Sequence, residues 1–350
     1  MKKSKFVLYS MLAILTLVVL ALIRFLLPGT PTPDVQPAGS ADLSTHPVYA
    51  KYDMRNADDV IHIGTQPLYW PTGLITEAMK RDNILNAAIA ARGMKIRYYP
   101  FLKGADVNYF LKRDDLDIGI GGDMPALSAA ATMNVVIPVL MQQGFISIVA
   151  RQPMLISDLR GERIGYAFGS NAHYALLNAL SSFGISEADV HLVPMEVHEM
   201  ADALSQGTID AFSAWEPTPA IALERYPEMV TIHQKLTMGY LYFQQSFMDR
   251  HHEVAMEIIA AVARSIRWIQ YDRENLLLSC EWTRESSRRL TGQLIPLSTA
   301  DMADLGLNDL LGIHADPFIP SDSLREEGML YRELEFLKTL SIIPATSDWK

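Results

Sequence analysis

The sequence predicts an α/β protein of two lobes joined by two extended crossovers, with a helical C-terminal segment. Three observations carry that expectation. Short β-rich runs alternate with helical stretches from about residue 60 to 247, the pattern of βα units on a mostly parallel sheet. The alternation comes in two sets, with extended apolar runs near 141–146 and 236–241 to carry the chain between them. From about residue 248 the pattern is helical almost throughout. A chain of 350 residues also exceeds one ordinary domain, and 49% hydrophobic with 20% charged residues is globular composition.

The chain opens on MKKSK and then FVLYSMLAILTLVVLALI, an uncharged run of 18 residues at 6–23. At ~1.5 Å per residue this is about 27 Å of helix, close to the hydrocarbon thickness of a bilayer. Residues 1–27 are therefore expected to be a transmembrane signal anchor. The leading lysines hold the N-terminus inside, so the rest of the chain lies on the periplasmic or extracytoplasmic side of the cell membrane, as a single-pass protein. A cleaved signal peptide is the rival, but its apolar core is usually about 7–15 residues long. No cysteine follows the run, which excludes a lipid anchor on that residue. The Pro/Ser/Gly-rich stretch 28–57 reads as a tether.

Within the folded part, VIHIGT (60–65) is a strand and 72–93 a helix closed by Gly93. MKIRYY (94–99) is the second strand, 105–114 a helix, and DIGIG (117–121) a buried strand. A helix at 124–133 and a strand at 135–141 complete the first set. The second set runs through strands at 144–151 and 162–168, a helix at 171–184 stopped by Gly184, and a strand at 190–195. A helix at 198–207, a strand at 209–215, a helix at 217–227 and a strand at 229–234 follow, and 239–247 returns as an extended run. Helices are expected at 254–272, 274–290 and 323–340. Residues 58–141 and 241–350 then form lobe 1, and 142–240 lobe 2.

Formal net charge is −10. The first 30 residues hold four cations (Lys2, Lys3, Lys5, Arg24) and no acid, leaving −14 on the remainder. That argues against nucleic acid, whose phosphates need a basic face. It leaves room for a small anion, which backbone N–H groups at a helix start can hold. The single cysteine, Cys280 in LLLSCEW, makes an internal disulfide impossible and reads as a small core residue. No G-x-S-x-G, H-E-x-x-H or P-loop occurs, and His233, His251 and His252 lack ligand spacing. Neither a catalytic site, a metal site nor a cofactor site is expected.

The chemistry sits instead at the strand-to-helix junctions. The first strand ends in GTQPLYWPTG, offering Gln66, Tyr69 and Trp70. The third ends in GIGGDMPAL, offering Gly121, Gly122 and Asp123. The second set supplies AFGSNAHYALL, with Ser170, Asn171 and His173, and DAFSAWEPTPA, with Trp215 and Glu216. Each has a plain structural alternative. Asp123, Ser170 and Asn171 are good helix caps, Glu216 suits a helix start, and Trp215 suits a core. GSNA also has the physics of an oxyanion site, because a helix N-terminus leaves up to four N–H donors free beside a partial positive charge. Asp117 and Asp210, in DLDIGIGG and GTIDAFSAW, look like strand-starting residues.

Taken in order, IHIGTQP, DIGIGGDMPALSAA, LRGERIGYAFGSNAHYALLNAL, ALSQGTIDAFSAWEPTPAIAL and GYLYFQQSFMDRHHEVAMEIIAAV resemble the substrate-binding proteins of ABC importers for alkanesulfonates, taurine and nitrate. The same architecture serves binders of thiamine-pyrimidine precursors. The resemblance runs from about residue 60 to 290. It implies the periplasmic-binding-protein type II fold and a binding role, not an enzyme. Its partners would be a small anionic or zwitterionic ligand (alkanesulfonate or taurine-like) and ABC permease and ATPase subunits, with a monomeric ectodomain. Carried over by position, Gln66, Gly122, Asp123, Ser170, Asn171, His173, Trp215 and Glu216 would line an interlobe cleft. Ser170, Asn171 and helix amides would hold the anionic head, Trp215 and Trp70 would face the organic part, and Glu216 or Asp123 could meet an ammonium. A membrane-tethered ligand sensor and a pyrimidine-precursor binder are the alternatives within the same fold.

Overall fold

The computed structural model describes residues 42–54, 57–310, 319–339 and 341–348. The anchor expected over 1–27 lies outside them. Among the described residues no helix is long and apolar enough to cross a membrane. Within the stretch taken as a tether, Tyr49 is buried and its ring packs against Phe101 and Phe110. Its hydroxyl donates to Asp106 (2.5 Å).

Strands β1 (Val60–Thr65), β2 (Lys95–Pro100) and β3 (Ile118–Gly122) form a parallel trio, in the order β2-β1-β3. A second parallel trio, β5 (Arg163–Tyr166), β6 (His191–Pro194) and β7 (Ala211–Trp215), has the order β7-β5-β6. Between them run two long antiparallel strands, β4 (Val135–Ala150) and β8 (Val230–Gln244). β8 pairs with β3 at one end and β4 pairs with β7 at the other, giving the order β2-β1-β3-β8-β4-β7-β5-β6. The four extended runs expected separately at 135–141, 144–151, 229–234 and 239–247 are thus two continuous strands. Their mutual ladder bridges the polar residues Gln142 and Gln143, which in sequence resemble a break.

The two trios share a device at their starts. The Asp117 carboxylate accepts from the His62 backbone N–H (2.8 Å), and the Asp210 carboxylate accepts from that of Arg163 (3.1 Å) and from its guanidinium (2.8 Å). In each case an acid before one strand pins the neighbouring parallel strand. Helices α1 (Thr72–Met79) and α2 (Asn83–Ala91) replace the single helix expected over 72–93. Asp82 divides them, its extended backbone and carboxylate capping Ile84 and Leu85. α3 (Gly104–Lys112) and α4 (Asp123–Thr132) follow in the first half. The second half holds α5 (Asn171–Ser182), α6 (Met200–Ser205) and α7 (Thr218–Arg225). α5 gives out before Gly184, whose φ of +65° suits a helix stop.

The C-terminal part comprises α8 (Gln245–Arg250), α9 (His252–Tyr271), α10 (Arg273–Thr291), α11 (Thr299–Asp309) and α12 (Met329–Thr339). The helix expected over 323–340 starts only after Gly328, behind a short 3-10 turn at Ser321–Leu324. α9 and α10 pack against α1, and Cys280 is buried among them, its thiol pushed up to about 12 by burial.

Candidate functional site

The C-terminal ends of β1, β3 and β7 and the segment after β5 converge where β4 and β8 cross between the halves. Gln66 is buried, and its amide N–H donates to the Ile120 carbonyl (2.5 Å), joining the end of β1 to β3. Trp70 is buried, with its indole N–H on the Pro67 carbonyl (3.3 Å), while its backbone N–H donates to the Glu216 carbonyl (3.2 Å). The Trp215 indole N–H donates to the Leu68 carbonyl (2.8 Å), and its ring meets that of Tyr69 edge-on. The segments LYWP and AWEP therefore hold the two halves together directly, and both Trp70–Pro71 and Glu216–Pro217 are cis. A further tie is the Lys103–Glu196 ion pair at 2.7 Å.

Asn171 is the centre of the arrangement. Its amide donates to the Thr237 hydroxyl (2.8 Å) and to the Tyr69 hydroxyl (3.2 Å). Thr237 in turn donates to Asp123 Oδ2 (3.0 Å), and the Met238 backbone N–H donates to Asp123 Oδ1 (2.7 Å). The Tyr69 hydroxyl donates to the Met238 carbonyl (3.1 Å) and accepts from the Gln142 amide (2.5 Å). Gly122 lies against Asn171 so closely that a Cβ there would fall 2.6 Å from Nδ2. Residues from five separate segments thus share one buried polar cluster.

The head of α5 is capped from within. Ser170 Oγ accepts from the His173 N–H (3.3 Å) and donates to the Ala167 carbonyl (2.6 Å), and Asn171 Oδ1 accepts from the Ala172 N–H (3.1 Å). Gly169 adopts φ +73°, which L side chains rarely take, and its backbone comes against Ala105 of the other half. His173 is buried between Tyr166 and Phe168. Its Nδ1 accepts from the Gly169 N–H (3.4 Å), and burial pushes its pKa down to about 4. At neutral pH it is an uncharged ring and brings no charge to an anion.

The electrostatics of the cluster are acidic. Burial raises Asp123 to about 7 against the opposing bonds from Met238 and Thr237. Burial likewise raises Glu216 to about 7, although Ala220 N–H donates to it, and raises Asp309 to about 6. Glu333 on α12 is 1% exposed, and neither of its carboxylate oxygens has a hydrogen-bond donor. Its nearest cation, Lys235, is at 3.8 Å, and burial with Asp123 close by pushes its pKa well up. Lys235 also stands over the ring of Tyr174, in the first turn of α5.

The structure brings Gln66, Trp70, Gly122, Asp123, Ser170, Asn171, Trp215 and Glu216 to one region, with His173 one turn into α5. Sequence reasoning missed Gln142, Thr237, Lys235, Asp309 and Glu333. The first three lie on the crossover strands, where QQG (142–144) and KLTMG (235–239) interrupt apolar runs, and that interruption was the available signal. Asp309 and Glu333 arrive from the tail and carry no local signal. Among the described residues, no group of three or more His, Cys, Asp or Glu could hold a metal ion.

The model of the NMT1/THI5 like family matches residues 86–275, over half of the chain. A taurine-binding periplasmic protein of Escherichia coli is 28% identical over 173 residues, 46% of this chain and 53% of that protein. An Escherichia coli protein named for binding aliphatic sulfonates is 28% identical over 135 residues, 37% of this chain and 42% of that protein. The chain spans about half the length of the curated relatives it matches. Among solved structures, the periplasmic aliphatic sulphonate binding protein of Escherichia coli superposes with a TM-score of 0.63 at 17% identity, covering 83% of this chain and 96% of that one. The periplasmic nitrate-binding protein of Synechocystis PCC 6803 gives 0.61 at 12% identity, covering 82% and 83%. The periplasmic-binding-protein fold expected from the sequence is thereby established.

Proposed function

The chain belongs to the NMT1/THI5 like family, binding proteins rather than enzymes, and from that premise we propose that it is the extracytoplasmic substrate-binding component of an ABC importer. Its ligand is a small organic anion or zwitterion of the alkanesulfonate or taurine kind, delivered to a permease. Residues 58–141 with 241–350 act as one lobe and 142–240 as the other, and the ligand enters when they part. The N-terminal segment holds the protein at the membrane surface.

One observation carries this reading. Asn171, Thr237, Tyr69, Asp123 and Gln142 come from distant segments to one buried polar cluster at the strand ends, where ligands of open α/β sheets bind. On opening, the Asn171 amide and the Thr237 hydroxyl exchange their internal acceptors for an oxyanion. The positive end of α5 and Lys235 add favourable charge. Trp215 and Trp70 form the apolar wall, and Gln66 and Gly122 set its floor.

The test is calorimetry on the purified full-length chain with ethanesulfonate, taurine and nitrate. Saturable binding of at least one is expected, weakened about tenfold or more in Asn171→Asp, which puts like charge at the helix head. No binding by any of them, or an unchanged affinity in the variant, removes this cleft as an oxyanion site. Release of a pyrimidine from the purified protein in native mass spectrometry would move the ligand to the neighbouring class.

A further inference from the structure

The tail meets the boundary between the halves at two places. At the first, Leu310, just after α11, pairs with Gln142 as an antiparallel bridge, where β4 passes from one half to the other. At the second, α12 lies against both halves. It packs on α4 of the first half and buries Leu330, Leu334 and Leu337. Toward the second half, its Phe336 ring meets that of Tyr174 on α5 edge-on (5.4 Å between centroids), and its Glu333 carboxylate faces Lys235 on β8 (3.8 Å). Tyr174 lies one turn after Asn171, and Lys235 two residues before Thr237. The helix therefore bears on the two elements that build the Asn171 cluster.

This contact contains a weak point. The three leucines have the i, i+4, i+7 spacing of one helix face, and Glu333 stands beside them, 1% exposed. Neither of its carboxylate oxygens has a hydrogen-bond donor. Lys235 is beyond hydrogen-bond distance and also serves Asp123, which acts on Glu333 as like charge. A buried carboxyl without a donor costs free energy whether it is charged or neutral. An apolar side chain of similar volume there would dock the helix more firmly. Glu333 thus keeps the docked helix close to release.

We propose that α12 is a latch on the cleft. Docked, it holds the halves together beside Asn171 and Thr237; released from Tyr174 and Lys235, it lets them part. The inference rests on the halves parting, as the binding role requires. α12 lies beyond the residues 86–275 matched to the family. Ligand affinity then falls with the fraction of molecules in which the helix is docked, so whatever tightens the latch weakens binding.

Two backbone N–H groups report parting, because each is bonded across the halves: Trp70 to the Glu216 carbonyl (3.2 Å) and Met238 to the Asp123 carboxylate (2.7 Å). The test is hydrogen exchange by mass spectrometry on the full-length protein, which needs no ligand. Leu334→Ala leaves a cavity under the helix. It should speed exchange about tenfold at 329–339 and in the peptides holding Trp70 and Met238, with α9 unchanged. Glu333→Met should slow the same three regions about threefold or more. Acceleration confined to 329–339 means that the helix docks without holding the halves, and overturns the latch. Faster exchange in Glu333→Met also overturns it, because Glu333 would then be a tie. If Leu334→Ala speeds α9 as well, its effect is global and the sign of Glu333→Met decides. Calorimetry with ethanesulfonate and taurine separates the latch from the ligand reading, since Leu334→Ala should bind about threefold more tightly than wild type. Binding of neither by any variant removes the sulfonate reading, and the exchange result alone then decides the latch.

Discussion

The heads of α4 and α5 look alike in sequence and behave differently in the fold. Each follows a strand through glycine, and each begins with small polar residues: GGDMP in one, GSNAH in the other. At α5, Ser170 accepts from the His173 N–H and closes the helix locally. At α4, Gly122 occupies the cap position and no side chain caps the helix. The Asp123 carboxylate instead spans to Thr237 and Met238 on β8. Ser170 thus serves as a local cap in one half, and Asp123 as a tertiary strut in the other, while Asn171 next to Ser170 also reaches across to Thr237 and Tyr69. A cap is satisfied within three residues, whereas a strut depends on what the fold places opposite.

The largest effect is expected at the strut. Asp123→Ala leaves the Thr237 hydroxyl and the Met238 N–H without their acceptor, costing about 2–3 kcal/mol at pH 5. The pH dependence separates strut from cap. Asp123 titrates near 7 when folded, above the ordinary carboxylate value, so its folded form favours the neutral acid. The stabilisation that it confers is full below about pH 4 and is lost as pH rises through about 7. The stability gap between wild type and Asp123→Ala, measured by denaturant melts, should therefore narrow from pH 5 to pH 8. A gap that widens instead would mean that Asp123 works as a charged partner of Lys235.

A smaller loss, about 1–3 kcal/mol of overpacking, is expected for Gly122→Ala, whose new methyl would press on Asn171 where the two junctions touch. Scattering in solution should show the variant more open; an unchanged envelope would mean that this contact does not hold the halves together. The smallest effect belongs to the cap. Ser170→Ala should cost about 1 kcal/mol, and equally at pH 5 and pH 8, because no titrating group takes part in the Ser170 bonds. A pH-dependent loss would tie Ser170 to the Asp123 cluster and dissolve the contrast.

Much of the fold was legible. β1 over Val60–Thr65 matches its expected span, and β3, β7, α4 and α10 match within two residues, because apolar runs, glycines and caps are short-range signals. Errors fell where a long-range contact overrode a local one. Gln142 and Gln143 resemble the end of a strand, yet the β4–β8 ladder runs through them. Asp82 resembles a mid-helix polar residue, yet its carboxylate also pairs with Arg264 of α9 (2.7 Å), which favours a break there.

The candidate site divides the same way. Gln66, Gly122, Asp123, Asn171 and Trp215 could be named from their places at strand ends, because the chain must turn there and polar or glycine residues permit it. Their partners could not. Thr237 is one polar residue in an extended run, and Asp309 and Glu333 are ordinary acids in helices near the end of the chain.

By itself the sequence determined the alternation of strands and helices, the acidic balance, the polar strand ends and a resemblance to binding proteins. All of these are written in windows of about ten to twenty residues. Only the tertiary structure decided that Asn171 meets Thr237 across 66 residues, that Trp215 meets Leu68 across 147, and that the tail's carboxylates are buried beside Gln142 and Asp123. Such pairings depend on how the crossover strands align the two halves. Burial then turns ordinary acids into groups that titrate near neutrality, because desolvation acts on a charge only after the whole chain has closed around it.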